Sequence, residues 1–274
     1  MRIGAYAQES AACLWLIVLA VTLALERWRP ARGEQRGDWW NNLRAWALTI
    51  AAGFTSTPVA AGAATLAINA TGGGLIVLPT QGWGLAVGLL AYLAAMDFGE
   101  YLFHRAQHAI PALWAMHSLH HSDPAVNVTT AGRHFWLEAA IKSVTIWLAV
   151  ALLLKASATI VALYGVLQLY NLALHANLRL GFGPLSWLVN SPQYHRIHHA
   201  RDPSHFGGNY AALLTIFDVI GGTYRRPEPG DFPQTGLDDR PPPADLWQTL
   251  AWPWSAVTVR RAHAFSPGAY GRGT

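Results

Sequence analysis

Between Arg44 and Asp97 the chain carries no charged side chain, an uncharged run of 52 positions. At roughly 1.5 Å per helical residue, such a run is long enough to cross a hydrocarbon layer of about 30 Å twice. It reads as a helical hairpin. The first helix is expected from Leu43 to Ala70 and the second from Trp83 to Phe103, joined through Thr71-Gly72-Gly73-Gly74 and Pro79-Thr80-Gln81-Gly82, where Gly and Pro break the helix. Only 12% of the residues are charged and 52% are hydrophobic, whereas a soluble domain carries about a quarter charged. Disorder is excluded by that composition. A disulfide scaffold and a thiolate metal site are excluded by the lone Cys13.

A second apolar pair follows, Ala139 to Leu154 and Ala156 to Leu174, broken by Lys155 and interrupted near its start by Lys142. The stretch from Ala11 to Leu25 is short for a span and reads as a short or interfacial helix rather than a cleaved signal. Arg27, Arg29, Arg32, Arg36 and Arg44 cluster before the first hairpin, while the 71–82 turn has no cation and the other turn only Lys155. Cytoplasmic loops collect Lys and Arg, so the arginine-rich link, the 104–138 region and everything after His175 are expected on the cytoplasmic side. The expected fold is therefore all-α: a multi-pass membrane bundle of about four spans in two hairpins, with a cytosolic helical cap. Residues 1–42 form its N-terminal helix and link, 43–225 its membrane and catalytic domain, and 226–274 a Pro-rich tail.

Twelve histidines stand out in so charge-poor a chain. His104 and His108 are four apart, on one face of a continuing helix. His117-Ser-Leu-His120-His121 and His195-Arg-Ile-His198-His199 repeat one HxxHH spacing. A shuffled chain of this composition would hold about 0.02 HxxHH patterns, and this one holds two. Chance does not place three such clusters at helix ends on one side of a membrane, so these eight imidazoles are expected to hold metal. Imidazole suits Zn, Cu, Fe and Ni. Eight ligands exceed one tetrahedral zinc, and Arg105 stands where a zinc protease of the HExxH type needs its glutamate. A redox-active two-metal centre fits better.

At these residues the sequence resembles the fatty acid hydroxylase and sterol desaturase superfamily of integral-membrane di-iron proteins. The family pattern runs from an acidic residue and HRxxH through HxxHH, TTAxRxHPxE, a membrane-end His, PxxHxxHH and NYG to a WDxxFGTY-like end. Its counterparts here are Asp97 with His104 to His108; His117 to His121; Asn127 and Thr129-Thr130-Ala131-Gly132-Arg133 to Glu138; His175; Pro192 to His199; Asn209-Tyr210; and Asp218 with Gly222-Thr223-Tyr224. The chain departs from the pattern at Phe135-Trp136, Gly207, Ala211, Phe217 and Gly221, and keeps every clustered histidine.

The resemblance implies bound non-haem iron, two ions, and O2-dependent hydroxylation of a lipid C–H bond. Desaturation on the same site is the alternative, and a haem-binding membrane electron carrier is a reading from another class. His175 becomes a ninth ligand, since an imidazole at a membrane-helix end should face protein or metal. Asn171, one turn earlier, shares its face. Asp97, two turns before His104, is expected to accept an imidazole N–H and set its orientation. His134 and His205 lack partners at ligand spacing, and His263 lies in a basic tail. No cytochrome b5 module is expected in residues 1–80, so electrons would come from a separate protein. Pro241-Pro242-Pro243 should be an extended linker, Ala244 to Trp254 a short surface helix, and the last 20 residues without fixed structure. Nucleic acid is not an expected partner, because the arginines flank apolar segments.

Overall fold

The computed structural model describes residues 2–33 and 39–256, the side chains of 2–12, 55–58, 60–61 and 256 excepted. Arg36, His263 and most of the expected unstructured tail lie outside the described residues. The elements in order are α1 (Arg2–Trp28), α2 (Trp39–Ala70), β1 (Ile76–Val77), α3 (Trp83–Ala109), α4 (Pro111–His121), α5 (Glu138–Lys142), α6 (Leu148–Leu153), β2 (Leu154–Lys155), α7 (Ala158–Leu167), α8 (Tyr170–Leu174), α9 (Pro192–His198), α10 (Ile216–Ile220), α11 (Leu246–Leu250) and α12 (Trp252–Ala256). The all-helical expectation holds, with the two short strands as its exception.

Among the described residues α3 alone is both long and apolar enough to cross a membrane. The expected second hairpin is cut into shorter pieces. A π-helical turn at Ser143–Trp147 joins α5 to α6, and a break at Gln168-Leu169 separates α7 from α8. The helical stretches 138–153 and 158–174 are each about 25 Å long by their residue count, short of a 30 Å layer. The first helix is longer than its apolar core promised: α1 is 27 residues rather than a short segment.

The turns of the two hairpins are joined. β1 pairs in parallel with β2, Ile76 opposite Leu154 and Val77 opposite Lys155. Leu75 N donates to Leu152 O and Leu78 N to Lys155 O, both at 3.1 Å. A Cβ at Gly74 would lie 2.5 Å from the Lys155 amide nitrogen, so only glycine lets the two turns approach this closely. From this end the hairpins converge on a core of Leu93, Met96, Phe103, Ile146, Val150, Ile160 and Tyr164. Histidines lie at the opposite end, about 32 Å along α3 from Trp83 to His104.

Polarity is distributed inside out. Trp83 is 90% exposed and Phe54 79%, and Leu66, Leu75, Val77, Leu90 and Val161 also face outward. Arg133, Arg196, Asn42 and Asp123 are buried at 1% or less. Fully buried arginine is rare unless paired, and both are held. Arg133 donates to Leu119 O, Asn42 Oδ1 and Ser122 Oγ at 2.7–3.0 Å. Arg196 Nε donates to Pro233 O at 2.9 Å and its Nη1 to Asn177 Oδ1 at 3.2 Å. Asn42 in turn donates to Asp123 and Thr129, so the Thr129 to Arg133 stretch clamps the start of α2 to the end of α4. Residues 226–256 run back over the cap, where Arg201 N donates to Gln234 O, Val126 N to Thr235 Oγ1, and Trp252 packs on Leu119 and Phe135.

Candidate metal centre

Three helices and the C-terminal end of α8 deliver the imidazoles. α3 presents His104 and His108 one turn apart, α4 presents His117, His120 and His121, and α9 with its C-cap presents His195, His198 and His199. Pro at the first turn starts both α4 and α9, and Ser191 caps α9 by accepting from Tyr194 N. His175 is the C-cap residue of α8.

The nine side chains form two groups with donor atoms within 4.8 Å of one another: His104, His108, His117, His121 and His198 in the first, His120, His175, His195 and His199 in the second. The groups touch, since His121 stacks on His199 with ring centroids 4.4 Å apart. Each HxxHH triplet is divided between them. The outer pair His117 and His121 serves the first group and His120 the second, while His198 serves the first and His195 with His199 the second.

Nitrogens approach as ligands of a shared ion do. Nε2–Nε2 separations are 3.0 Å for His104–His117, 3.1 Å for His175–His120, 2.9 Å for His195–His175 and 3.2 Å for His199–His195. Two imidazoles bonded at about 2.1 Å to one metal, a right angle apart, have nitrogens about 3 Å from each other. Buried polar atoms normally find partners. Here His108 Nε2, His121 Nε2 and His198 Nε2 have none, nor do Nδ1 of His120, His195 and His199. A donor set of neutral imidazoles with buried, unpaired nitrogens fits a pair of metal ions. A haem does not fit, because the facing nitrogens leave no space for a porphyrin between them.

The rings are oriented by carbonyls. His104 Nδ1 donates to Tyr210 O at 2.7 Å, His175 Nδ1 to Asn171 O at 2.9 Å and His198 Nδ1 to Gly208 O at 2.9 Å. A carbonyl only accepts, so in these three the proton sits on Nδ1 and the Nε2 lone pair is free for metal. Asn171 thus contributes its backbone, its side chain donating to Gln168. Burial holds the imidazole of His175 down to about 4 and that of His198 down to about 3, and lowers His117, His120, His121, His195 and His199 as well. At neutral pH the rings are therefore uncharged, the form that binds metal.

Asp97 departs from expectation. Its oxygens accept from the amides of Leu213 and Leu214 at 2.9 and 2.6 Å and leave the His104 ring to Tyr210. Asp218 holds the same loop, accepting from Tyr210 N, Ala211 N, Tyr194 Oη and Thr223 Oγ1 at 2.7–2.9 Å. The two carboxylates act on the histidine through the 210–214 backbone. Asn209 starts that loop at φ 63°, a left-handed conformation that Asn tolerates.

Glu138 is a neighbour that histidine spacing does not single out. Buried, it accepts from Gln107 Nε2 at 2.7 Å and Phe135 N at 3.2 Å, and lies 3.6 Å from His117 Nδ1 and 3.3 Å from His134 Nδ1. His134 also stacks on His120 at 4.4 Å, without joining either ligand group. His205 sits apart, in the turn Pro203–His205. Trp114 and Tyr210 wall the first group, with ring centroids 5.0 and 5.1 Å from His108.

Comparison with known proteins agrees with this geometry. The fatty acid hydroxylase family model matches residues 89–223. An alkylglycerol monooxygenase of Xenopus tropicalis is 37% identical over 129 residues, 47% of this chain and 28% of that protein, and the Homo sapiens enzyme of the same name is 36% identical over 132 residues. Ornithine lipid hydroxylase OlsE of Rhizobium tropici is 28% identical over 251 residues, 88% of this chain and 75% of that protein. The chain thus spans less than a third of the alkylglycerol monooxygenases it matches. No solved structure matches it. Residues 89–223, which contain both histidine groups, match the fatty acid hydroxylase family.

Proposed function

We propose that the protein is a membrane-bound, O2-dependent lipid hydroxylase with two iron ions, the first held by His104, His108, His117, His121 and His198 and the second by His120, His175, His195 and His199. The observation that carries this reading is the convergence of nine neutral imidazoles into two touching groups. Relatives named as lipid hydroxylases and alkylglycerol monooxygenases support the reaction class.

Iron, when bound, supplies the activation of O2 and the oxidising strength to attack an unactivated C–H bond. The chain's own residues position and insulate. Carbonyls of Tyr210, Asn171 and Gly208 fix three rings, Glu138 steadies His117, and the aromatic walls of Trp114 and Tyr210 exclude water from the first group. Electrons come from a separate protein in this reading.

The 43–225 unit is the catalytic domain, set in the bilayer by two hairpins whose joined turns lie on the far side from the histidines. The arginines of the 26–44 link support a cytoplasmic histidine end in this reading. An acyl tail entering from the bilayer along the exposed apolar flank of α3 approaches His104 and His108 from their own helix.

Purified protein should hold two irons per chain, and cells expressing it should gain a hydroxylated lipid only in air. Product formed without O2 would refute the assignment. Recovery of only new double bonds would turn it into a desaturase.

A further inference from the structure

We propose that α11 and α12 form a collar that docks on the headgroup layer of an anionic phospholipid membrane, anchored by Trp247 and Trp254. The proposal rests on the membrane reading above and adds a contact outside the apolar hairpins.

One side of the collar is fixed to the cap. Trp252 is 1% exposed, packs with Leu119 and Phe135, and donates from Nε1 to Ser118 Oγ at 3.0 Å. Thr249 is buried beside it. The other side faces out: Trp247 is 76% exposed, Trp254 66%, and Leu246 also projects. Two successive five-residue helices that bury one tryptophan and present two others have an apolar face that the other described residues leave uncovered.

The level of that face points to its occupant. α11 packs against α2, and Arg44 Nη1 donates to Ala244 O at 3.0 Å. The collar therefore meets α2 at the residue after which the uncharged run begins. Trp40 and Leu43, in the first turns of α2, are exposed there too. Tryptophan at the boundary between a charged segment and an apolar span is the pattern of an aromatic belt at a membrane interface. Charge selects the lipid. After Asp245 the sequence carries Arg260, Arg261 and Arg272 and no further acidic residue. Asp245 is engaged as the N-cap of α11, accepting from Gln248 N. Because α12 packs on α4, which carries His117, His120 and His121, a docked collar sets the height of the metal ligands above the bilayer.

The test uses the full-length, iron-loaded protein with Cys13→Ser, reconstituted in nanodiscs of phosphatidylcholine with a minority of phosphatidylglycerol. A polarity-sensitive fluorophore is placed on Trp247→Cys or Trp254→Cys, and on Leu66→Cys within α2 as a reference. Iron content equal to the parent verifies that each variant folds. The collar requires blue-shifted emission at both positions, quenching by lipids labelled near the headgroup, and protection from aqueous iodide, all weakened when phosphatidylglycerol is omitted. Iodide quenching at 247 and 254 with lipid quenching kept at Leu66 overturns the collar and leaves the membrane reading intact. Loss of lipid quenching at Leu66 as well overturns both. Protection from iodide without lipid quenching assigns the face to a protein contact and also refutes the proposal.

Discussion

Asp218→Asn tests whether the metal site depends on a carboxylate that touches no histidine. Oδ1 of Asp218 accepts from Tyr210 N and Thr223 Oγ1, and Oδ2 from Ala211 N and Tyr194 Oη, at zero exposure. An amide can satisfy one pair of donors but turns an NH2 toward the other. Each hydrogen bond to a charged acceptor is worth about 1.5–3 kcal/mol, so losing two costs about 3–6 kcal/mol. For a chain of this size that lowers the melting temperature by on the order of 10 °C. The local effect is more specific. Releasing Tyr210 frees the carbonyl that orients His104, and the loss of such an orienting partner typically weakens metal binding by about 10–100-fold. Thermal unfolding in detergent, with iron per chain measured after dialysis against graded chelator, reads both quantities. Wild-type iron retention in a variant with a lowered melting temperature would refute the link from Asp218 through Tyr210 to His104. An unchanged melting temperature would refute the hydrogen-bond arithmetic.

Asp97→Asn should weaken iron retention through Leu213 and Leu214 on the same loop, and the double variant with Asp218→Asn should lose less than the sum of the two, a coupling that a double-mutant cycle measures. Gly132→Ala should destabilise the fold by about 1–3 kcal/mol or more, because the new Cβ would fall 0.7 Å from Trp46 Nε1; unfolding at wild-type denaturant concentration contradicts that packing. Glu26 is pushed up to about 7 by burial, while its Oε1 accepts from Val128 N and Asn177 N. A raised carboxyl loses stability as pH climbs from 4.5 through 7, so Glu26→Gln should match the parent at pH 4.5 and exceed it by up to about 3 kcal/mol at pH 8. A melting-temperature profile with equal slopes for the two proteins would contradict this. Metal-free protein should lose stability as pH falls below 6.5, since depressed imidazoles take protons only on unfolding, at about 1.4 kcal/mol per pH unit for each; His175 and His198 extend the loss to about 4 and 3. A flat melting curve between neutral pH and pH 5 after chelation would count against buried neutral rings.

The clustering was legible in the sequence because four-residue steps on a helix give facing imidazoles, and all nine histidines singled out there fall in the two groups. What orients them was not legible. Tyr210 and Gly208 act through backbone carbonyls, which every residue has, and so leave no mark on composition. Asp97 was placed by helical arithmetic against His104, but a buried carboxylate goes where unpaired amides are, and here these were Leu213 and Leu214, more than a hundred positions away. Long helices were legible in extent where charge was absent, as in α2 and α3. Hydropathy had no means of reporting the π turn at Ser143–Trp147, which keeps the run apolar while dividing it.

The sharing of each HxxHH triplet between both groups makes the centre an interlock. α4 and α9 each contribute to both groups, so excision of either helix leaves neither group complete. If the groups bind iron, the first ion to arrive would pin both helices and set the imidazoles of the other group, so filling should proceed from empty to doubly occupied with little singly occupied protein between. Losing one imidazole would then disturb the occupancy of the neighbour it does not touch.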